Sequence, residues 1–124
     1  MLARYSMVRG APASTLPQGI RQDTRKHTRH ILRPTVEMVK EVLGNAADPA
    51  AWRSYSTRYR ALLDERFSEN RAPFDALAEL ARTKDVYLGC SCPTGKNPDV
   101  RRCHTVLALA FMKAHYPDLD VRSP

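Results

Sequence analysis

Apolar and polar residues along the chain alternate between strand-like and helix-like periods. Residues 5–8 are a short run of strand formers stopped by Arg9, Gly10 and Pro12, which predicts one strand followed by a loop over residues 11–19. After Leu32 the period turns helical: Pro34 can open a helix, and Val36, Val39, Val42 and Leu43 return at helical spacing until Gly44 and Asn45 end it. Asp48 as N-cap, with Pro49 behind it, starts the longest element, which runs to about residue 67. Trp52, Tyr55, Tyr59, Leu62, Leu63 and Arg66 share one side of it, and aromatics at this spacing fit a buried face better than a ligand platform. A second helix from about Pro73 carries Phe74, Leu77, Leu80 and Ala81 inward and closes at Thr83 and Lys84.

From Asp85 the pattern changes again. Residues 86–92 are continuous and mostly apolar, as a strand buried on both faces should be, and Pro93, Thr94 and Gly95 stop it. Asn97 can cap a last helix with Pro98 at its first position, running to Tyr116, and residues 119–121 predict a short final strand. Strands separated by helices predict a single three-layer α/β domain over residues 1–124, with a small, mainly parallel sheet flanked by helices. Residues 1–33 form its basic strand and loop segment, and residues 34–124 its helices, cysteine-ending strand and final helix.

Composition narrows the class. A chain of 124 residues, 43% hydrophobic and 27% charged, has core enough for one domain and too much apolar content for disorder. Mean hydropathy is −0.48, and no apolar run approaches a membrane span, so no membrane partner is expected. The opening residues lack the apolar stretch of a secretory signal. Three cysteines crowded between positions 90 and 103 make a poor disulfide framework, so a reducing cytoplasm is the expected setting.

The formal charge of +7 sits almost wholly in residues 1–33, where Arg4, Arg9, Arg21, Arg25, Lys26, Arg29 and Arg33 face Asp23 alone. Arg21, Arg25, Arg29 and Arg33 recur every fourth residue, so in a helix their guanidinium groups would line one stripe. Such a stripe is either a solvated basic surface or a track for nucleic-acid phosphates. No helix-turn-helix, finger or RNA-recognition signature accompanies it.

The densest chemistry lies in CSCPTGKNPDVRRCH, residues 90–104. Cys90 and Cys92 end a strand on one face, and Cys103 and His104 lie in or just before the next helix, at the sheet edge where open α/β folds bind ligands. A thiol near a helix N-terminus and near Lys96, Arg101 and Arg102 ionises more readily than a free one. Cys92, beside the loop, is the better exposed candidate nucleophile or general acid, with His104 as base. Two other readings stand beside it: the cysteines and histidine pack as ordinary core residues, or Cys90, Cys92, Cys103 and His104 hold a metal such as zinc. Gly95-Lys96 lacks the Ser or Thr of a phosphate-binding Walker loop, and the first arginine after Cys92, Arg101, is too distant for a phosphatase-type loop.

Several segments together are similar to a bacterial family known as domain of unknown function 488. They are Val8-Arg9-Gly10-Ala11-Pro12 after the first strand, Leu32-Arg33-Pro34-Thr35 before a helix, Trp52, Tyr59, Arg60 and Leu63 in the long helix, and Cys90, Cys103 and His104 as a cysteine-ending strand with a Cys-His motif. The chain departs from the family pattern in having Thr105 where an arginine follows Cys-His, and in the longer loop over residues 93–102. The resemblance implies a compact α/β domain with Arg9 and the Cys-His pair near one pocket, and bears on no particular reaction. The expectation is thus a pocket lined by Arg9, Cys90, Cys92, Lys96, Arg101, Cys103 and His104, taking a phosphorylated or other anionic small molecule. Nucleic-acid binding through the arginine stripe and a zinc-stabilised fold are the alternatives; cofactor and oligomeric state are left open.

Overall fold

The computed structural model describes residues 1–45 and 47–124. Its sheet has three parallel strands, β1 (Leu2–Ser6), β2 (Ile20–Asp23) and β3 (Val86–Cys90), in the order β1–β3–β2. The most continuously apolar strand takes the centre: Val86 and Leu88 are fully buried, as a strand covered on both faces requires. Leu2 and Ile20 both register with Val86, while Ser6 pairs with Cys90 and Asp23 with Gly89, so the three carboxyl ends reach one edge together. Gly89 suits its place because a Cβ there would lie 2.7 Å from Met7 Sδ and 2.8 Å from Tyr5 Cε1.

Among the described residues there are four α-helices: α1 (Val36–Gly44), α2 (Pro49–Glu69), α3 (Ala72–Thr83) and α4 (His104–His115). The Thr35 hydroxyl accepts from the Met38 N–H to start α1, and the Asp48 carboxylate accepts from the Ala50 N–H to start α2. Helix α4 packs on β1 and β3, α2 packs on α4, and α1 packs on α2. The aromatic side of α2 is indeed core: Trp52, Tyr55 and Tyr59 stack in series, and Tyr59 meets the His104 ring edge-on with centroids 5.9 Å apart. No described helix is long and apolar enough to cross a membrane.

Four expectations change in detail. The first strand lies at Leu2–Ser6 rather than residues 5–8, because Leu2 is fully buried beside Val86 while Val8 is 64% exposed. β2 has no strong sequence signal, since Ile20 is the single apolar residue in IRQD. The last helix starts at His104, not Pro98: a short 3-10 turn over Val100–Arg102 comes first, capped by Asp99, and Cys103 is extended at φ −124° and ψ 147°. The final strand reduces to one bridge between Leu2 and Val121.

The arginine-spaced segment is not a helix. It is β2 followed by turns that α2 holds in place: Tyr59 Oη donates to Leu32 O at 2.6 Å, and Arg66 Nη1 donates to Ile31 O and Arg33 O, each at 2.7 Å. Three of its guanidinium groups take separate partners. Arg21 donates to Pro17 O, Arg25 pairs with Asp23, and Arg33 donates to His30 O. The stripe expected from the spacing does not form, because the backbone that would align it is turned into an irregular strap.

Candidate functional site: a cysteine cluster at the sheet edge

Cys90 is the last residue of β3, Cys92 lies two residues beyond it, and Cys103 occupies the N-cap position of α4. Their three sulfurs lie within 4.8 Å of one another, although the first and last are thirteen positions apart in the chain. Cys103 and Cys90 are buried, and Cys92 is half-buried. All three line a cavity of about 250 Å³ together with His104. Val39, Val42, Leu43 and Tyr55 from α1 and α2 form its apolar wall, and Arg25, Lys26 and Arg102 its cationic one, with His27 beside them.

Hydrogen bonds aim at the Cys103 sulfur. Thr105 Oγ1 donates to it at 3.2 Å, and His104 Nδ1 stands 3.8 Å away. Hydrogen bonds from the Cys90 and Cys92 thiols hold Cys103 well below the usual thiol range, overcoming the upward push of burial, and the same contact with Cys103 pushes both partners up. These contacts favour ionisation of Cys103 over that of its two neighbours, at the positive end of α4. Asn97 Nδ2 donates to Cys92 Sγ at 3.3 Å and to Arg102 O at 2.7 Å, which ties the loop over residues 93–102 to the cluster.

The histidine is oriented from behind. Thr24 Oγ1 donates to Gly89 O at 3.0 Å and lies 2.8 Å from His104 Nε2. With its one hydrogen given to the carbonyl, the Thr24 oxygen accepts from Nε2–H, which leaves the lone pair on Nδ1, the nitrogen facing Cys103. A thiol, an imidazole nitrogen within reach and a third group fixing the imidazole are the parts of an activated nucleophile. The sulfur spacing also suits a soft cation such as zinc, which thiolates bind at about 2.3 Å after the cluster contracts.

The residues expected from the sequence divide into three sets. Cys90, Cys92, Cys103 and His104 share the cavity. Arg9 lines a neighbouring basin of about 580 Å³, whose wall is shared with the first through Arg25 and Ser91. Lys96 and Arg101 line neither; Arg101 is paired with Asp99 at 3.1 Å. Thr24, Thr105 and Arg4, which support the cluster, carry no motif that marks them in the sequence.

A family model described as the active DUF488-N3 subclade, DUF488-N3a, matches residues 5–116. The chain belongs to the DUF488 family. The match runs from the end of β1 through α4, so it includes every element that contributes a sulfur, the histidine or the threonines of this DUF488 site. No curated protein and no solved structure matches the chain.

Proposed function

We propose that this DUF488 domain binds a small phosphorylated or otherwise anionic molecule in the cavity and acts on it through the Cys103 sulfur. The observation that carries this reading is the convergence of donors on Cys103 inside a cavity with a cationic wall. Exposure favours Cys92 as nucleophile, whereas the Thr105 hydroxyl, the neighbouring imidazole and the N-cap position of α4 favour Cys103. His104 Nδ1 takes the thiol proton, the sulfur forms a bond to an electrophilic centre of the ligand, and the leaving group departs with the bonding electron pair and receives that proton. Arg25, Lys26 and Arg102 balance the ligand's charge. The family model's description as an active subclade agrees with a chemically competent site. Small-ligand binding is preferred to nucleic-acid binding because the segment holding Arg21, Arg25, Arg29 and Arg33 is not the helix that would align them.

Competition between two alkylating reagents tests this. Iodoacetate is anionic and iodoacetamide neutral, and free thiols are the reference for their relative rates. Peptide mapping should find Cys103 modified first, with the rate ratio shifted toward iodoacetate. Modification of Cys92 ahead of Cys103, or a ratio at Cys103 no different from that of a free thiol, refutes the reading.

A further inference from the structure

We propose that Arg4 is a positioning residue for Cys103: by donating to Thr105 Oγ1 it turns that hydroxyl's proton onto the sulfur. This rests on the reading of Cys103 as the reactive sulfur.

The argument begins with donor inventory. A guanidinium can only donate, so the 2.9 Å contact between Arg4 Nε and Thr105 Oγ1 makes the hydroxyl oxygen an acceptor there. Its single hydrogen is left for the other neighbour, Cys103 Sγ at 3.2 Å. Thr105 is fully buried, so water does not compete for that hydrogen. A threonine inside a helix commonly turns its hydroxyl to the carbonyl four residues back, but Thr105 lies in the first turn of α4 and residue 101 belongs to the preceding 3-10 turn. The hydroxyl is thus fixed as a donor to sulfur, and a sulfur that must accept is stabilised as a thiolate.

The rest of the guanidinium repeats the pattern at the second cysteine. Arg4 Nη2 donates to Cys92 O at 2.6 Å, and Nη1 donates to Ser6 Oγ at 3.2 Å, which in turn donates to Cys92 O at 2.7 Å. One side chain on β1 therefore holds the backbone of one cysteine and the hydroxyl bonded to another. Among the described residues no carboxylate pairs with Arg4. The half-buried guanidinium instead directs its donors to the hydroxyls and the carbonyl around the two cysteines.

Rates of Cys103 alkylation by iodoacetamide at neutral pH, read by peptide mass spectrometry, test the relay in four variants of the full chain. Arg4→Gln and Thr105→Val should each slow Cys103 by roughly three- to tenfold, since the gain in intrinsic nucleophilicity offsets part of the lost ionisation. The double variant should be no slower than the slower single one, because both changes remove the same bond. Thr105→Ser, which restores the hydroxyl, should recover most of the rate that valine loses. Multiplying effects in the double variant, or a Thr105→Val rate equal to wild type, overturns the inference. If Arg4→Gln does not fold, Arg4→Lys, whose single ammonium cannot serve Thr105 and the Cys92 carbonyl together, takes its place and should slow Cys103 in the same sense, an unchanged rate overturning the inference. A slow Cys103 in the wild-type protein defeats instead the underlying reading of the reactive sulfur.

Discussion

Thr24 joins the stability of the domain to the chemistry of its site, so Thr24→Val is an informative perturbation. Valine keeps the shape of threonine and replaces the hydroxyl with a methyl group. The position is fully buried, so no water replaces what is lost. Gly89 O keeps the bond from the Thr24 N–H at 3.0 Å, and its loss is that of one hydroxyl bond, about 1 kcal/mol. His104 Nε2–H loses its acceptor in a residue only 4% exposed, which costs about 1–3 kcal/mol more. The sum, about 2–4 kcal/mol, is a large share of the 5–15 kcal/mol that is roughly typical of a domain. Urea titration followed by circular dichroism measures it directly, and Thr24→Ser, which retains the hydroxyl, should stay closer to wild type than valine does. The imidazole also loses the contact that fixes its tautomer, so Cys103 alkylation should slow in the valine variant and not in the serine one. A valine variant within about 0.5 kcal/mol of wild type, with unchanged alkylation, would refute the account of how His104 is held.

Two further outcomes are expected. Burial, only partly opposed by Asp23, lowers His30 from 6.5 to about 4, and the bonds agree: Leu32 N–H donates to its Nδ1 while Nε2 donates to Gln22. The unfolded chain therefore takes up this proton first, so the His30 contribution is complete above pH 6.5, falls as pH drops toward 4 and is constant below. It amounts to about 2 kcal/mol after allowance for partial exposure. Urea midpoints for wild type and His30→Gln should converge across that window, and parallel curves contradict the assignment. Cobalt(II) added to reduced protein should bind one ion per chain with thiolate charge-transfer absorption that Cys92→Ser weakens, if the three sulfurs converge as described; absence of that absorption shows that they do not act together as ligands.

How much of this was legible in the sequence follows from the range of the forces involved. Helices α1, α2 and α3 were readable because capping and apolar period act over a few residues: Asp48 with Pro49, and the recurring Tyr55, Tyr59 and Leu63, state their own element. β3 was readable for the same reason. β2 was not, because IRQD becomes a strand only when Val86 and its neighbours supply the hydrogen bonds. The four-residue arginine spacing misled, since Tyr59 and Arg66 from a distant helix impose turns on residues 30–34 that no local preference encodes. At the site, the residue types of the Cys-His segment pointed to the neighbourhood. The tautomer of His104 and the direction of the Thr105 hydroxyl depend on Thr24 and Arg4, eighty and 101 residues away in the chain, and only the folded arrangement reveals them.

The strand order also sets a timetable. Every ladder in the sheet uses β3, and its partners precede it by more than sixty residues, so neither β1 nor β2 has a ladder partner until residues 86–90 have been made. During synthesis the two early strands wait with open edges while α1, α2 and α3 are already able to form, and the central strand then zips both at once. A ribosome pausing just before β3 is made would hold the protein in that vulnerable state, with backbone groups free for the wrong neighbour. Slow stretches of translation should therefore be tolerated better before the long helix than between it and the central strand.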